Sequence, residues 1–410
     1  MSLNTHPNTG VKNSISIDII LCAVGLLLCV IAGATGLARM QVPTGLGYYA
    51  VAAALALSVP LLLQSDLLNR ILAFSVLPTR KSWPIFIIWT GYIFGVLQSR
   101  LQSPDQPSYL AHAIGMLGCV VGSMVGFRAI ADPESGRILT RIWTGVALAG
   151  AAWTLYCFVS RTTEVHEYVF CLVPAFLPWI CRAHSAHLPI AGIILVAIYA
   201  IFGMKNTTFI IAGIVLLSAV AWRLSGTSTA RPVQLLTMLF VSLAFGACFW
   251  IGNEFLRSQE GMFSTGNTEF RRYFYGQLWE QFLSSPIYGD LFSKNPTLVY
   301  PYASIYGHSP NLPSHSDFLD ILAHGGILFF SAVIVLGWRL GRSAISALNA
   351  RRPQDDLFLF SSVAAICGLL QASFNPVLHR VSFGFILWFL IGLSLVLHQE
   401  RMKREKTHAP

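Results

Sequence analysis

Three histidines, His308, His315 and His324, fall between Gly307 and Gly326, a stretch that opens as a proline-rich loop and closes as the start of an apolar helix. That boundary would set a proton acceptor at a membrane surface. His315 is the expected base. Ser314 can cap the helix with Asp317 three residues on, a capping-box pattern with Asp in place of Glu or Gln. The positive end of the helix then favours the neutral ring, which can take a proton. A histidine that simply hydrogen-bonds a loop carbonyl fits the same residues, and the stretch alone leaves both readings open. Asp317, Asp320 and His324 recur at i, i+3 and i+7 on one helical stripe that points roughly opposite to His315. A helix contact or a second cavity wall suits that stripe. Asp317 and His308 therefore enter only as supporting residues.

Cations supply the other half of the chemistry. Arg271 and Arg272 lie near the start of an amphipathic stretch beside Tyr273 and Tyr275, and an arginine fork grips a phosphate or diphosphate with parallel charge-assisted hydrogen bonds. A solvated face or a headgroup contact accounts for exposed arginines equally well. Lys205 is a lone cation between two apolar runs, and Asn206 and Thr207 after it can cap the second run. Snorkelling at a helix end is the alternative for Lys205. Arg161 is a further phosphate contact to weigh. There is no Walker loop, HExxH pair, cysteine pair or outer acidic pair at metal spacing, so no nucleotide, metal or other cofactor is expected.

These residues need a scaffold, and composition names it. Of 410 residues, 54% are hydrophobic and only 11% charged, with a mean hydropathy of +0.61. That pattern predicts an all-α polytopic membrane protein rather than soluble domains. The net charge of +9 comes from short basic clusters between apolar runs, which argues against nucleic acid as a partner and for membrane orientation. Windows of ~20 residues place about twelve spans: 17–38, 45–63, 83–98, 109–130, 138–160, 167–181, 188–203, 207–223, 232–252, 317–338, 356–373 and 381–398. The short apolar piece 67–77, with Arg70 inside it, reads as interfacial. The polar first sixteen residues do not resemble a removable signal peptide, which leaves the first span as the insertion signal.

With the N-terminus inside, the inner connections and tail hold eighteen Lys and Arg, the outer short loops five. Both termini are thus expected in the cytoplasm. The chain divides into an N-terminal transmembrane bundle (1–252), an outer loop (253–316), C-terminal transmembrane helices (317–398) and a basic cytoplasmic tail (399–410). Within the loop, Phe270, Phe274, Leu278 and Phe282 predict a helix over 268–283 that Pro286 stops. Prolines and tyrosines then suggest an irregular aromatic lid. The eight cysteines sit in apolar runs and predict neither disulfides nor a thiolate site.

Two stretches resemble the bacterial O-antigen ligase and polymerase superfamily. His315-Ser316-Asp317-Phe318-Leu319-Asp320-Ile321-Leu322-Ala323-His324-Gly325-Gly326 is similar to a signature of the form His-Asn-x-Tyr-Leu-x-x-Leu-x-x-x-Gly. Arg271, Tyr275, Pro286, Tyr288 and Gly289 resemble a second. The large loop between the ninth and tenth spans also fits. Ser316 replaces the common Asn, and Met204-Lys205-Asn206 stands where many members have Ser-Arg-Gly. The resemblance implies inverting, metal-independent transfer of a glycan from undecaprenyl diphosphate at the periplasmic face of the inner membrane. It makes His315 the base, gives Arg271 and Lys205 the diphosphate, and leaves Arg272 and Arg161 as further contacts, with Asn206 in support. Lipid A-core would be the acceptor for a ligase, and another lipid-linked glycan for a polymerase. A lipid-linked glycan transporter is the alternative from another class. It would call for repeated halves and charges near the midplane.

Overall fold

The computed structural model describes residues 17–37, 45–64, 69, 82–103, 108–160, 168–182, 187–203, 206–224, 266–294, 296–299 and 311–407. Apolar runs become helices because a backbone surrounded by hydrocarbon has to satisfy its own hydrogen bonds. In chain order these are α1 (Ile17–Leu37), α2 (Leu46–Leu57), α3 (Val59–Leu62), α4 (Trp83–Gln102), α5 (Leu110–Gly115), α6 (Leu117–Ala131), α7 (Pro133–Val159), α8 (Val169–Leu172), α9 (Leu177–Arg182), α10 (His187–Phe202) and α11 (Asn206–Leu224). After them come α12 (Gly266–Ser284), α13 (Asp317–Leu348), α14 (Asp356–Ala372) and α15 (Val381–Thr407). Among the described residues six helical segments are long and apolar enough to cross a membrane: α1, α5 with α6, α7, α11, α13 and α15. The expected spans overlap described helices, apart from 232–252, which lies outside the described residues together with most of the 67–77 piece. Among the described residues seven cysteines are buried and free.

α15 is the axis of the bundle, and almost every residue from Val381 to Val396 is buried. It packs most closely on α6, where Gly118 and Gly122 let two backbones touch. A Cβ on Gly118 would sit 2.0 Å from the Phe385 carbonyl oxygen, and one on Gly122 1.9 Å from that of Phe389. Small residues four apart are how helices approach when no hydrophobic force separates protein from lipid.

The connections expected on the basic side meet at one end. Arg128 pairs with Asp18 at 3.2 Å and Arg182 with Asp356 at 2.6 Å. Arg351 lies 4.0 Å above the Trp222 ring, and Arg404 donates to the Ile130 carbonyl at 3.1 Å. The opposite end carries the mouth of α13, the start of α5 and the 373–380 turn.

Two features there were not foreseen. The first is that α13 is broken. At Gly326 the backbone takes φ 63° and ψ −168°, a conformation that glycine alone adopts readily. The segment after α12 fills the gap. The Ile327 N–H donates to the Pro286 carbonyl at 2.8 Å, the Leu328 N–H to the Ile287 carbonyl at 3.0 Å, and the Phe292 N–H to the His324 carbonyl at 3.1 Å. The second concerns the lid, which is more ordered than its composition suggests: residues 286–292 dock on the break, and β1 (Thr297–Val299) pairs antiparallel with β2 (Asn311–Pro313). Tyr300, Tyr302 and Tyr306 lie outside the described residues. The loop helix itself forms as expected and ends two residues before Pro286.

Candidate functional site

β2 delivers the chain to the mouth of α13 through a tight turn. The Ser314 hydroxyl accepts the Ser316 N–H at 3.1 Å, and the Ser316 hydroxyl accepts the Leu319 N–H at 3.3 Å. The helix cap is therefore Ser316. This corrects the expectation for Ser314, whose hydroxyl is taken up by the turn. Between the two serines His315 stands half-buried at φ 63°, one position before the cap. A side chain other than glycine rarely holds such a backbone conformation, and strain of this kind concentrates at functional positions.

α12 packs against α13 and brings Arg271 and Tyr275, one turn apart, toward the same mouth. Burial pushes the Tyr275 phenol above its ordinary value, with Arg271 opposing and Asp320 adding to the shift, so one ring sits in the field of both. Arg271 is half-buried, and its Nε is enclosed with no hydrogen-bond partner. Lys205, Arg161 and His308 lie outside the described residues, as do the side chains of Arg272 and Asn206.

Below the mouth lies a polar cluster that the sequence reading underrated. Asp317 and Asp320 are fully buried. Asp317 Oδ2 accepts the Leu378 N–H at 2.8 Å, which turns the carboxylate toward the 373–380 turn; its Oδ1 lies 3.8 Å from His379 Nε2. The His379 Nε2–H donates to Asp320 at 2.9 Å. Burial works against a charged His379, but the Asp320 hydrogen bond and the two carboxylates outweigh it and raise the affinity of the ring for a proton. His112, on α5, meets His379 edge to face with centroids 4.7 Å apart, is 2% exposed, and has no hydrogen-bond partner on either ring nitrogen.

A second pair seals the break. His324 Nδ1 lies 2.9 Å from Asp290 Oδ2, and Gln281 donates to the same oxygen at 2.9 Å. The carboxylate favours the Nδ1–H tautomer, leaving Nε2 buried as an acceptor without a partner. Phe292 wedges against Tyr92 and Tyr109 with centroids at 4.8 and 5.0 Å. Neither phenol oxygen has a hydrogen-bond partner.

The site thus has two storeys. The upper one has His315 at the mouth of α13 and Arg271 and Tyr275 on α12, which packs against α13; the motifs had singled out His315 and Arg271 as site residues. The lower one joins His112, Asp317, Asp320 and His379, with Asp290 and His324 alongside. A lone histidine inside the apolar run Leu110–Gly115 was the signal for His112, because an ionisable residue at membrane depth needs a reason to be there. No family model matches the chain, and no curated protein sequence matches it either.

Proposed function

We propose that this membrane protein is an inverting glycosyltransferase that moves a glycan from undecaprenyl diphosphate onto lipid A-core at the periplasmic face of a bacterial inner membrane. About twelve spans, both termini in the cytoplasm and an outer loop over 253–316 complete that reading. The observation that carries it is His315: an imidazole held at positive φ before a capped helix, with Arg271 and Tyr275 on the helix packed beside it.

In this scheme His315 removes the proton from an acceptor hydroxyl as that oxygen bonds to the anomeric carbon. The bond from that carbon to the phosphate oxygen breaks, and the configuration inverts. Undecaprenyl diphosphate leaves with its charge held by Arg271 and Lys205, with Arg272 and Arg161 as further contacts. These cations do what a metal does in other transferases, so transfer needs no added divalent salt. The enclosed Arg271 Nε without a hydrogen-bond partner and the part-buried Tyr275 beside it support an anion contact there.

The ligase and polymerase readings differ only in acceptor, and a deletion strain separates them. Loss of a ligase leaves full-length glycan on the carrier lipid and bare core, whereas loss of a polymerase leaves core carrying a single repeat unit. A transporter would move the donor without breaking its bond to phosphate. Purified protein incubated with lipid-linked donor and core acceptor tests the scheme, and failure to release undecaprenyl diphosphate with either acceptor would refute it.

A further inference from the structure

We propose that His112, Asp317 and His379 bind a divalent transition-metal ion of the Zn2+ class, which ties α5 and the 373–380 turn to the mouth of α13. One donor atom from each residue lies within 4.8 Å of the other two. Bonds of about 2.0–2.2 Å separate tetrahedral donors by about 3.4 Å, so modest side-chain contraction closes the set.

Three observations point to a ligand. His112 is 2% exposed, and both its ring nitrogens lack hydrogen-bond partners, a costly state for a polar ring in an apolar interior. Asp317 has one oxygen fixed by the Leu378 N–H, while the other, Oδ1, is buried without a hydrogen bond and faces His379. Asp320 Oδ2 lies 2.9 Å from the His379 Nε2 that also faces Asp317, so a second carboxylate borders the same position.

Charge agrees. Two carboxylates buried side by side carry a charge of −2 when both are ionised, which protons or a bound cation must offset. A divalent cation with two neutral imidazoles and two carboxylates sums to zero. Imidazole with carboxylate selects zinc, manganese or iron over magnesium or calcium. The donors come from three distant stretches, so no spacing motif could announce them. This ion is structural. It goes beyond the transferase scheme, in which the chemistry occurs one storey higher.

The test is metal content of the full chain purified in detergent without added metal, followed by Zn2+ titration of chelator-stripped protein and X-ray absorption of the loaded form. The proposal expects about one ion per chain with a nitrogen and oxygen shell containing imidazole. It also expects loss of the ion in His112→Ala and Asp317→Asn. Asp317→Asn keeps an acceptor for Leu378, and if His112→Ala does not fold the wild-type spectrum decides. Neither bound metal nor Zn2+ uptake, a shell without imidazole, or unchanged content in a folded His112→Ala chain would overturn it. Metal content is read without any glycan, so a negative result here leaves the transfer scheme standing, and the reverse holds too.

Discussion

Gly326→Ala strikes the joint that gives α13 its mouth. The native φ of 63° with ψ −168° is a region that alanine occupies at a cost of about 1–3 kcal/mol. The new Cβ would also lie 2.5 Å from the Ile287 carbonyl carbon and oxygen, so the docked segment has to withdraw. Withdrawal breaks the Ile327–Pro286 and Leu328–Ile287 hydrogen bonds, each contributing about 1 kcal/mol net. The expected loss is about 3–5 kcal/mol, concentrated locally. Hydrogen exchange reads it directly: the amides of Ile327, Leu328 and Phe292 should exchange at least about 100-fold faster. Gly337→Ala, on the same helix, meets nothing within 4 Å and serves as the control. It should leave exchange at the break unchanged and stabilise α13 by about 0.5–1 kcal/mol. If Gly326→Ala preserved native protection at Ile327 and Leu328, the break would not be held by this backbone geometry, and the reasoning would fail.

Other perturbations give distinct outcomes. Gly122→Val drives a side chain into the Phe389 backbone, which cannot move aside inside α15, so the variant should fail to give a monodisperse peak on size-exclusion chromatography. Arg182→Ala leaves Asp356 without its 2.6 Å partner and should cost about 3 kcal/mol in thermal unfolding. Asp356→Asn in the same chain should recover much of that loss, and no recovery would mean that the charge is not what matters. Lys205→Arg should retain more transfer activity than Lys205→Ala when product is measured, because the point charge is kept; equal loss would remove Lys205 from the anion contacts.

Much of the helical scaffold was legible because hydrocarbon imposes a single solution on apolar backbone, and runs of ~20 residues report it. Where His315 and Arg271 fall was legible as well: one just before a helix mouth, the other in the first half of the loop helix. The stripe of Asp317, Asp320 and His324 was read as a helix contact or second cavity wall, and in the structure Asp317 and Asp320 meet the 373–380 turn while His324 meets Asp290. What these residues meet could not be read, because His112 arrives from another helix and His379 from the distant 373–380 turn. The Gly325-Gly326 pair was taken as part of a continuous helix, since only the docked segment shows that the ladder opens there. Ser314 was read as the cap because Asp317 follows at capping-box spacing, and local sequence does not record that a tight turn takes up its hydroxyl and leaves Ser316 to cap the helix. The close contact of α6 with α15 was missed for a related reason: glycines four apart lower hydropathy without saying which partner they admit.

The central claim is that His315 takes the proton from the acceptor at the mouth of α13. The most direct measurement is single-turnover transfer by purified His315→Ala protein, with lipid-linked donor and core acceptor, alongside wild-type chain of matched folding on size-exclusion chromatography. The account predicts that undecaprenyl diphosphate release falls to background while the variant remains folded and still binds donor. Transfer at the wild-type rate would show that the proton leaves by another route.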